Sequence, residues 1–310
     1  MLRARPLART LGTRRFHVVF AASSIPHPEK VAKGGEDAFF CDDATGAFGV
    51  ADGVGGSASA SVDPGKFSRR LLRYCEPVLD GTPDRLSLAL AAAGKGFKAE
   101  PLGGSSTLLI GQLEPAAGGP LSGEEAERGT LRLLNIGDCG AMLLRPSVRR
   151  FRQGTFTWPR LVLRSTDQTH YFNCPYQLSA EDAFEQAEDH DEICADARPG
   201  DLLVVATDGV LDNLFDGRVQ IEVAQHLAEA LSDDSATARK GVEAIAKAIG
   251  QAAAETGLRQ DEEGLATPFA AAAAEEGYKF AGGKLDDVAV LVGVVRRGSA
   301  QAPRRLGNLG

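Results

Sequence analysis

Acidic side chains recur at one kind of place along this chain. Glu36-Asp37 opens an apolar run, Asp52, Asp138 and Asp208 each close one, and Asp286-Asp287 precedes the last. The three closing acids each stand next to glycine, in Asp52-Gly53, Gly137-Asp138 and Asp208-Gly209. Glycine beside the acid lets the backbone turn sharply and lets a carbonyl oxygen approach a cation. Hard divalent cations take several oxygen ligands, and Mg2+ keeps waters as well. Strand-end carboxylates meeting at one rim would make such a site, and the lack of paired His or Cys ligands argues against zinc. Singly, each acid has a plainer explanation. Asp-Gly is an ordinary turn, Glu-Asp a solvated strand start, Gly137-Asp138-Cys139-Gly140 a hairpin turn and Lys284-Leu285-Asp286-Asp287 a capped loop. The ordered set is the signal.

These acids need strands to carry them. Ala38–Cys41 and Phe48–Ala51 read as a hairpin joined through the turn formers Asp42 to Gly46. Asp63-Pro64 opens a helix in which Phe67, Leu71, Leu72 and Cys75 share a face, and a second helix covers about 84–97. Ser105–Leu113 and Thr130–Ile136 read as strands around an exposed Gly/Pro/Ala/Glu-rich insertion, and another strand begins at Ala141. Residues 160–198 carry no clean period and read as an irregular surface subdomain. Leu202–Ala206 and Val288–Val295 are apolar strands, two or three helices fill about 217–276, and the tail after Arg297 is polar and expected to be disordered. Strands in runs, separated by paired helical stretches, favour an α+β fold of antiparallel sheets with helices packed outside.

Composition limits what such a site can serve. Hydrophobic residues make up 43% and charged residues 25% of the 310, the balance of an ordinary globular protein. No apolar run approaches the roughly 18 residues of a membrane span, and a net charge of −8 offers no global basic field, so neither a transmembrane role nor a nucleic-acid partner is expected. Five cysteines (Cys41, Cys75, Cys139, Cys174 and Cys194) without C-x-x-C spacing read as free thiols in a reducing compartment, mostly small buried hydrophobes. Residues 1–28 carry five arginines and no acid, which fits an organellar transit peptide over about 1–22, cut near Ala21–Ser24; the plainer reading is a basic tail.

The ordered acids sit in motifs that resemble the metal-dependent protein phosphatases of type 2C. The segments are Gly34-Gly35-Glu36-Asp37-Ala38-Phe39-Phe40, Ala51-Asp52-Gly53-Val54-Gly55-Gly56, Gly104-Ser105-Ser106-Thr107, Asn135-Ile136-Gly137-Asp138-Cys139-Gly140, Ala206-Thr207-Asp208-Gly209-Val210-Leu211-Asp212-Asn213 and Gly282-Gly283-Lys284-Leu285-Asp286-Asp287. They follow the family's order across about residues 26–296. Ile25-Pro26-His27-Pro28, Val62-Asp63-Pro64, His170-Tyr171-Phe172-Asn173-Cys174-Pro175-Tyr176-Gln177-Leu178 and Thr267-Pro268-Phe269-Ala270 look like its organellar branch. That branch holds a chloroplast phosphatase of photosystem II core proteins, which this chain resembles more, and a mitochondrial matrix phosphatase. The resemblance implies a four-layer α-β-β-α sandwich over 23–297, with a flap at about 160–198 whose Asp182, Glu185, Glu188, Asp189, Asp191 and Glu192 make one side acidic. It implies two Mg2+ or Mn2+ ions and a third, weaker one. Asp52 matches the carboxylate bridging two ions, Gly53 a carbonyl donor to one, and Asp208 and Asp286 ligands of the other. Glu36 and Asp37 match the pair that holds metal-bound waters, and Asp138 a ligand of the third ion, shared with Asp208. Asp287 stands where many members have Asn and is read, with Asp212, as a group behind the ligands. The implied reaction is hydrolysis of phosphoserine and phosphothreonine by a water activated between two cations, without a covalent enzyme intermediate.

Two departures from the family bear on that chemistry. Where many members have His after the Asp-Gly, this chain has Val54, which has no proton to give. A metal-bound water near Asp138 is the expected replacement acid, with His170 a longer shot. The family's phosphate-binding Arg before the acidic pair is absent, and Lys30 and Lys33 stand there, with Lys33 as the candidate phosphate binder, although Lys lacks the bidentate fork. The expected partners are phosphorylated proteins, photosystem II core subunits among them, met by a monomer in the chloroplast stroma near the thylakoid surface. A matrix phosphatase, an inactive binding module on the same fold and a phosphatase of small phosphate esters are the alternatives.

Overall fold

The computed structural model describes residues 16–55, 62–115, 129–151, 154–179, 190–298 and 303–310. In chain order the strands are β1 (Phe16–Ile25), β2 (Ala38–Asp42) and β3 (Ala47–Ala51), followed by helices α1 (Pro64–Cys75) and α2 (Leu86–Ala99). Then come β4 (Ser105–Ser106), β5 (Leu108–Pro115), β6 (Gly129–Ile136), β7 (Gly140–Phe151) and β8 (Gly154–Arg164). Three short strands, β9 (Thr169–Tyr171), β10 (Cys174–Pro175) and β11 (Leu178–Ser179), precede β12 (Asp191–Ala197) and β13 (Leu202–Ala206). Helices α3 (Asp208–Leu211), α4 (Asp216–Gln225), α5 (Leu227–Ala230), α6 (Ser235–Gly257) and α7 (Pro268–Glu275) lead to β14 (Val288–Arg297) and β15 (Arg305–Gly307).

The strands build two antiparallel sheets, ordered β1-β14-β13-β7-β8 and β12-β6-β5-β3-β2-β15. Their apolar runs are continuous because both faces are buried. On β13, Leu203 and Val205 face the second sheet and share the layer between the sheets with Phe20 of β1 and with Phe48 and Leu133 of the second sheet, while Leu202, Val204 and Ala206 face the helices, against Val242, Ile245 and Ile249. The second sheet turns Phe40, Ile110 and Leu134 outward to Phe67, Leu72 and Phe97 of α1 and α2. Three apolar layers thus separate four layers of structure, the α-β-β-α sandwich that the resemblance implies. Asp63 caps α1 by accepting from the Lys66 amide, Pro64 takes the first turn, and Asp234 caps α6 in the same way through Thr237. Among the described residues no helix is long and apolar enough to cross a membrane. All five cysteines are free thiols, three of them buried.

Several expected boundaries move. The sequence leads one to expect a leader over about 1–22, but β1 begins at Phe16 and pairs along its whole length with β14. Phe16, Val18 and Phe20 pack between the sheets, so the folded domain starts before the expected cut near Ala21–Ser24; residues 1–15, where the arginines are, lie outside the described residues. The tail after Arg297 holds β15, which extends the second sheet by pairing with β2. The irregular region narrows as well. Gly154–Arg164 is an edge strand of the first sheet and Asp191–Ala197 one of the second, so the flap proper begins after Arg164. Of its acids, Asp182, Glu185, Glu188 and Asp189 lie outside the described residues, as does most of the expected insertion between β5 and β6. Asp191 and Glu192 are exposed on β12.

Candidate metal centre

Asp52 leaves β3 and is held by its backbone. Its N–H donates to Thr107 Oγ1 at 3.1 Å, and its carbonyl accepts from Ser106 Oγ at 2.7 Å and from the Thr107 amide at 3.0 Å. This clamp interrupts the strand expected over 105–113 at Thr107, and it gives the Gly104-Ser105-Ser106-Thr107 motif a role that the sequence leaves blank. Asp37 Oδ2 accepts from Thr207 Oγ1 at 2.8 Å, and the same hydroxyl accepts from the Ala289 amide at 3.1 Å. Thr207 therefore ties β2 to the ends of β13 and β14. Asp287 is fully buried and draws three segments together: the His27 amide at 2.7 Å, Lys30 Nζ at 3.0 Å and the Glu36 amide at 3.1 Å.

Close approach explains two of the glycines. A Cβ on Gly209 would collide with the Asp287 carbonyl, so glycine lets the start of α3 bring Asp208 against the Asp286 loop. Gly137, at φ 103°, turns the chain into Asp138 in a conformation few side chains adopt.

The electrostatics show the convergence. The Asp52 carboxyl is pushed well above the ordinary carboxylate range, first by burial and then by the charges of Asp208, Asp37, Asp286 and Asp138. Asp37 is raised by burial and by Asp287, and Asp138 by burial and by Asp208. Burial and Asp208 raise Asp286 to about 6, against the opposing pull of Lys284 and Lys30. Among the described residues no three His, Cys, Asp or Glu side chains already enclose one point as a finished metal shell. Two ammonium groups stand among the carboxylates instead. Lys30 Nζ lies 2.6 Å from Glu36 Oε2, and Lys284 Nζ lies 2.5 Å from Asp208 Oδ2 and 2.6 Å from Asp212 Oδ2.

The residues fit hard cations. The donor set is all oxygen, and Asp37 Oδ1, Asp138 Oδ1 and Asp208 Oδ1 are buried without a hydrogen-bond partner. Buried anionic oxygens left unpaired are costly, and a bound cation removes that cost. Lys33 does not belong to this set: it is exposed at the end of a 3-10 turn, and Lys30, three residues earlier, reaches the acids. The spacing of two lysines on one turn could not distinguish them. His170 is exposed on the flap, its ring 4.2 Å from that of Tyr176. Sequence reasoning also missed Thr207 and Lys284, both inside quoted motifs. A hydroxyl beside a strand-end acid was the available signal for the first; a lysine two residues before a candidate ligand was the signal for the second.

Beside Asp138 and Asp212 a cleft of about 600 Å3 runs under the flap, lined also by Arg164, Asp167, Phe172 and Phe269. Phe172 of the flap packs on Phe269 and Tyr278, with centroids 5.1 and 5.2 Å apart. The flap base is tied to the Asp138 turn through Gln168, and β11 pairs with β4 beside the Asp52 clamp.

No family model matches the chain. Individual relatives do. It is 33% identical over 284 residues to the probable protein phosphatase 2C 26 of Arabidopsis thaliana, covering 88% of this chain and 82% of that one. The chain belongs to the protein phosphatase 2C family. This makes it a protein serine/threonine phosphatase of a Mg2+/Mn2+-dependent family. The probable protein phosphatase 2C 80 of the same plant is 34% identical over 291 residues, 94% of this phosphatase but 61% of that longer chain. Among solved structures, the photosystem II phosphatase PBCP superposes with a TM-score of 0.67 at 27% identity, over 89% of this phosphatase and 98% of that chain. The catalytic domain of the phosphatase PstP, solved with two manganese ions, shares the fold at a TM-score of 0.52 and 18% identity, over 91% and 99% of the two chains.

Proposed function

We propose that this phosphatase hydrolyses phosphoserine and phosphothreonine esters on photosystem II core proteins in the chloroplast stroma, with two Mg2+ or Mn2+ ions at the Asp52 centre. The observation that carries the metal reading is the convergence of Asp37, Asp52, Asp138, Asp208 and Asp286, three of which keep a buried, partnerless oxygen. The likeness to the photosystem II phosphatase PBCP supports the substrate and the compartment.

Asp52, Gly53, Asp208 and Asp286 would hold the ions, with Glu36 and Asp37 beside them and Asp138 at the edge of the cleft. Bound there, divalent cations lower the pKa of water and polarise phosphoryl oxygens. The chain supplies rigidity. Ser106 and Thr107 hold Asp52, Thr207 aims Asp37, and Asp287 with Lys30 fixes Glu36. At about 600 Å3 the cleft mixes acids with Phe172 and Phe269, which suits a peptide flanking the phosphorylated residue more than a small phosphate ester. Lys33 is not proposed as the phosphate binder, because its ammonium stands apart from the acids.

The test is Mn2+-dependent phosphate release from a phosphothreonine peptide, with Asp52→Asn as control. Activity with the wild type and none with the variant is expected. Inactivity with every divalent ion would leave a binding module, and activity on metabolites alone would leave a small-ester phosphatase. Incubation with phosphorylated thylakoids, probing core and antenna subunits separately, tests the substrate: the core bands should fade first.

A further inference from the structure

We propose that Lys284 is a built-in cation of the metal centre, its ammonium, set between Asp208 and Asp212, taking up the Asp208 oxygen that a third divalent ion shared with Asp138 would use. The proposal rests on the two-ion reading above and adds that the chain stops at two.

Lys284 is held on all sides. Its Nζ lies 2.5 Å from Asp208 Oδ2, 2.6 Å from Asp212 Oδ2 and 3.7 Å from Asp286 Oδ2, and 5.1 Å from the centroid of the Phe269 ring. Three carboxylates and an aromatic face form an environment for a positive charge. The backbone is pinned too. The Lys284 amide donates to Asn213 Oδ1 at 3.0 Å, its carbonyl accepts from Asn213 Nδ2 at 2.8 Å, and Asn213 also reaches the Gly209 carbonyl at 2.9 Å. The loop before it packs so closely on α6 that a Cβ on Gly283 would collide with the Thr256 carbonyl. The ammonium is therefore presented at a fixed point rather than swung in from solvent.

The decisive detail is how Asp208 divides its two oxygens. Oδ1 is buried and partnerless, free for an ion; Oδ2 is occupied by Lys284. Lys284 therefore competes for Asp208 with any further ion beside Asp138: an ion taking Oδ2 would have to displace the ammonium, from Asp212 as well. A monovalent charge on a covalent stem thus stands in for a dissociable divalent one, and the centre keeps that charge whatever the surrounding ion concentration.

The test counts Mn2+ ions bound to the full chain, by the electron paramagnetic resonance signal of the free ion after equilibrium dialysis. Two ions per wild-type chain are expected, and three per Lys284→Met chain, where a side chain of similar length has no charge. Adding Asp138→Asn to Lys284→Met should return the count to two. Three ions on the wild type, or two on Lys284→Met, overturns the proposal. If Lys284→Met does not fold, Asp138→Asn in the otherwise native chain decides. An unchanged count of two supports the proposal, and the loss of an ion overturns it. A wild type that binds no Mn2+ removes the two-ion reading itself, a failure distinct from a count of three.

Discussion

Thr107 shows how much of the candidate metal centre is built by residues outside the proposed ligand set. Its hydroxyl accepts from the Asp52 amide, its own amide donates to the Asp52 carbonyl, and its Oγ1 lies 3.2 Å from Cys139 Sγ, next to Asp138. One fully buried side chain therefore joins two of the acidic turns. Replacing it by Val keeps the shape but leaves the Asp52 amide unpaired, at a cost of about 1–3 kcal/mol. Loosening a group that supports a ligand typically weakens metal binding by about 10–100-fold. Thr107→Val should fold with a lowered thermal midpoint and need correspondingly more Mn2+ to reach half-maximal activity. An unchanged Mn2+ titration would mean that Asp52 is positioned without it.

At the scale of elements, the C-terminal strand contributes to the same site from the far end of the chain. β15 closes the open edge of β2 through Arg305, Leu306 and Gly307. Asn308 then accepts from the Phe39 amide at 2.8 Å and donates to the Asp37 carbonyl at 2.9 Å. Arg73 of α1 donates to the Leu309 and Gly310 carbonyls. The strap therefore holds the strand that starts with the acidic pair. At about 0.5–1.5 kcal/mol net per hydrogen bond, the four bonds of Asn308 and Arg73 alone are worth roughly 2–6 kcal/mol, so deleting residues 303–310 should destabilise the fold by at least about 2 kcal/mol. It should also weaken Mn2+ binding by freeing Asp37. Chemical denaturation read beside a Mn2+ titration checks both; a truncated chain with native midpoint and affinity would show the strap to be passive.

At the scale of the whole molecule, the acidic centre governs how stability responds to pH. Without cations, Asp37, Asp52 and Asp138 are raised well above the ordinary range, Asp286 to about 6 and Asp212 to about 7, each chiefly by burial. A raised carboxylate stabilises the fold below its unfolded value, and that contribution is lost as pH rises through its folded value. Lys30 and Lys284 are raised too, held by the acids, but their contributions are lost only above about pH 10, outside this window. His17 is lowered by burial and acts in the opposite sense, losing stability as pH falls below about 6.5, but it is one group against five. The chelated protein should therefore lose on the order of a few kcal/mol between about pH 5 and pH 8. Saturating Mn2+ should reverse the slope, because ligands must be deprotonated to bind. Thermal unfolding across that range, with chelator and with Mn2+, reads both slopes; parallel curves would refute the account.

By itself the sequence determined the order and type of the candidate ligands, because strand-end Asp and Gly and the apolar runs before them are local patterns of two to eight residues. Those runs also determined most strands, the capped helices and the antiparallel class of the sheets. The tertiary structure alone decided which lysine reaches the acids, that β1 begins at Phe16, that the tail becomes β15, and that Thr207, Asn308 and Lys284 serve the site. Each of these depends on partners distant in the chain, as in Asp37 with Thr207, Asp37 with Asn308 and Asp208 with Lys284. Periodicity carries no information across such separations. A side chain there acquires its role only when the sheets pack and water is excluded from the space between the acids.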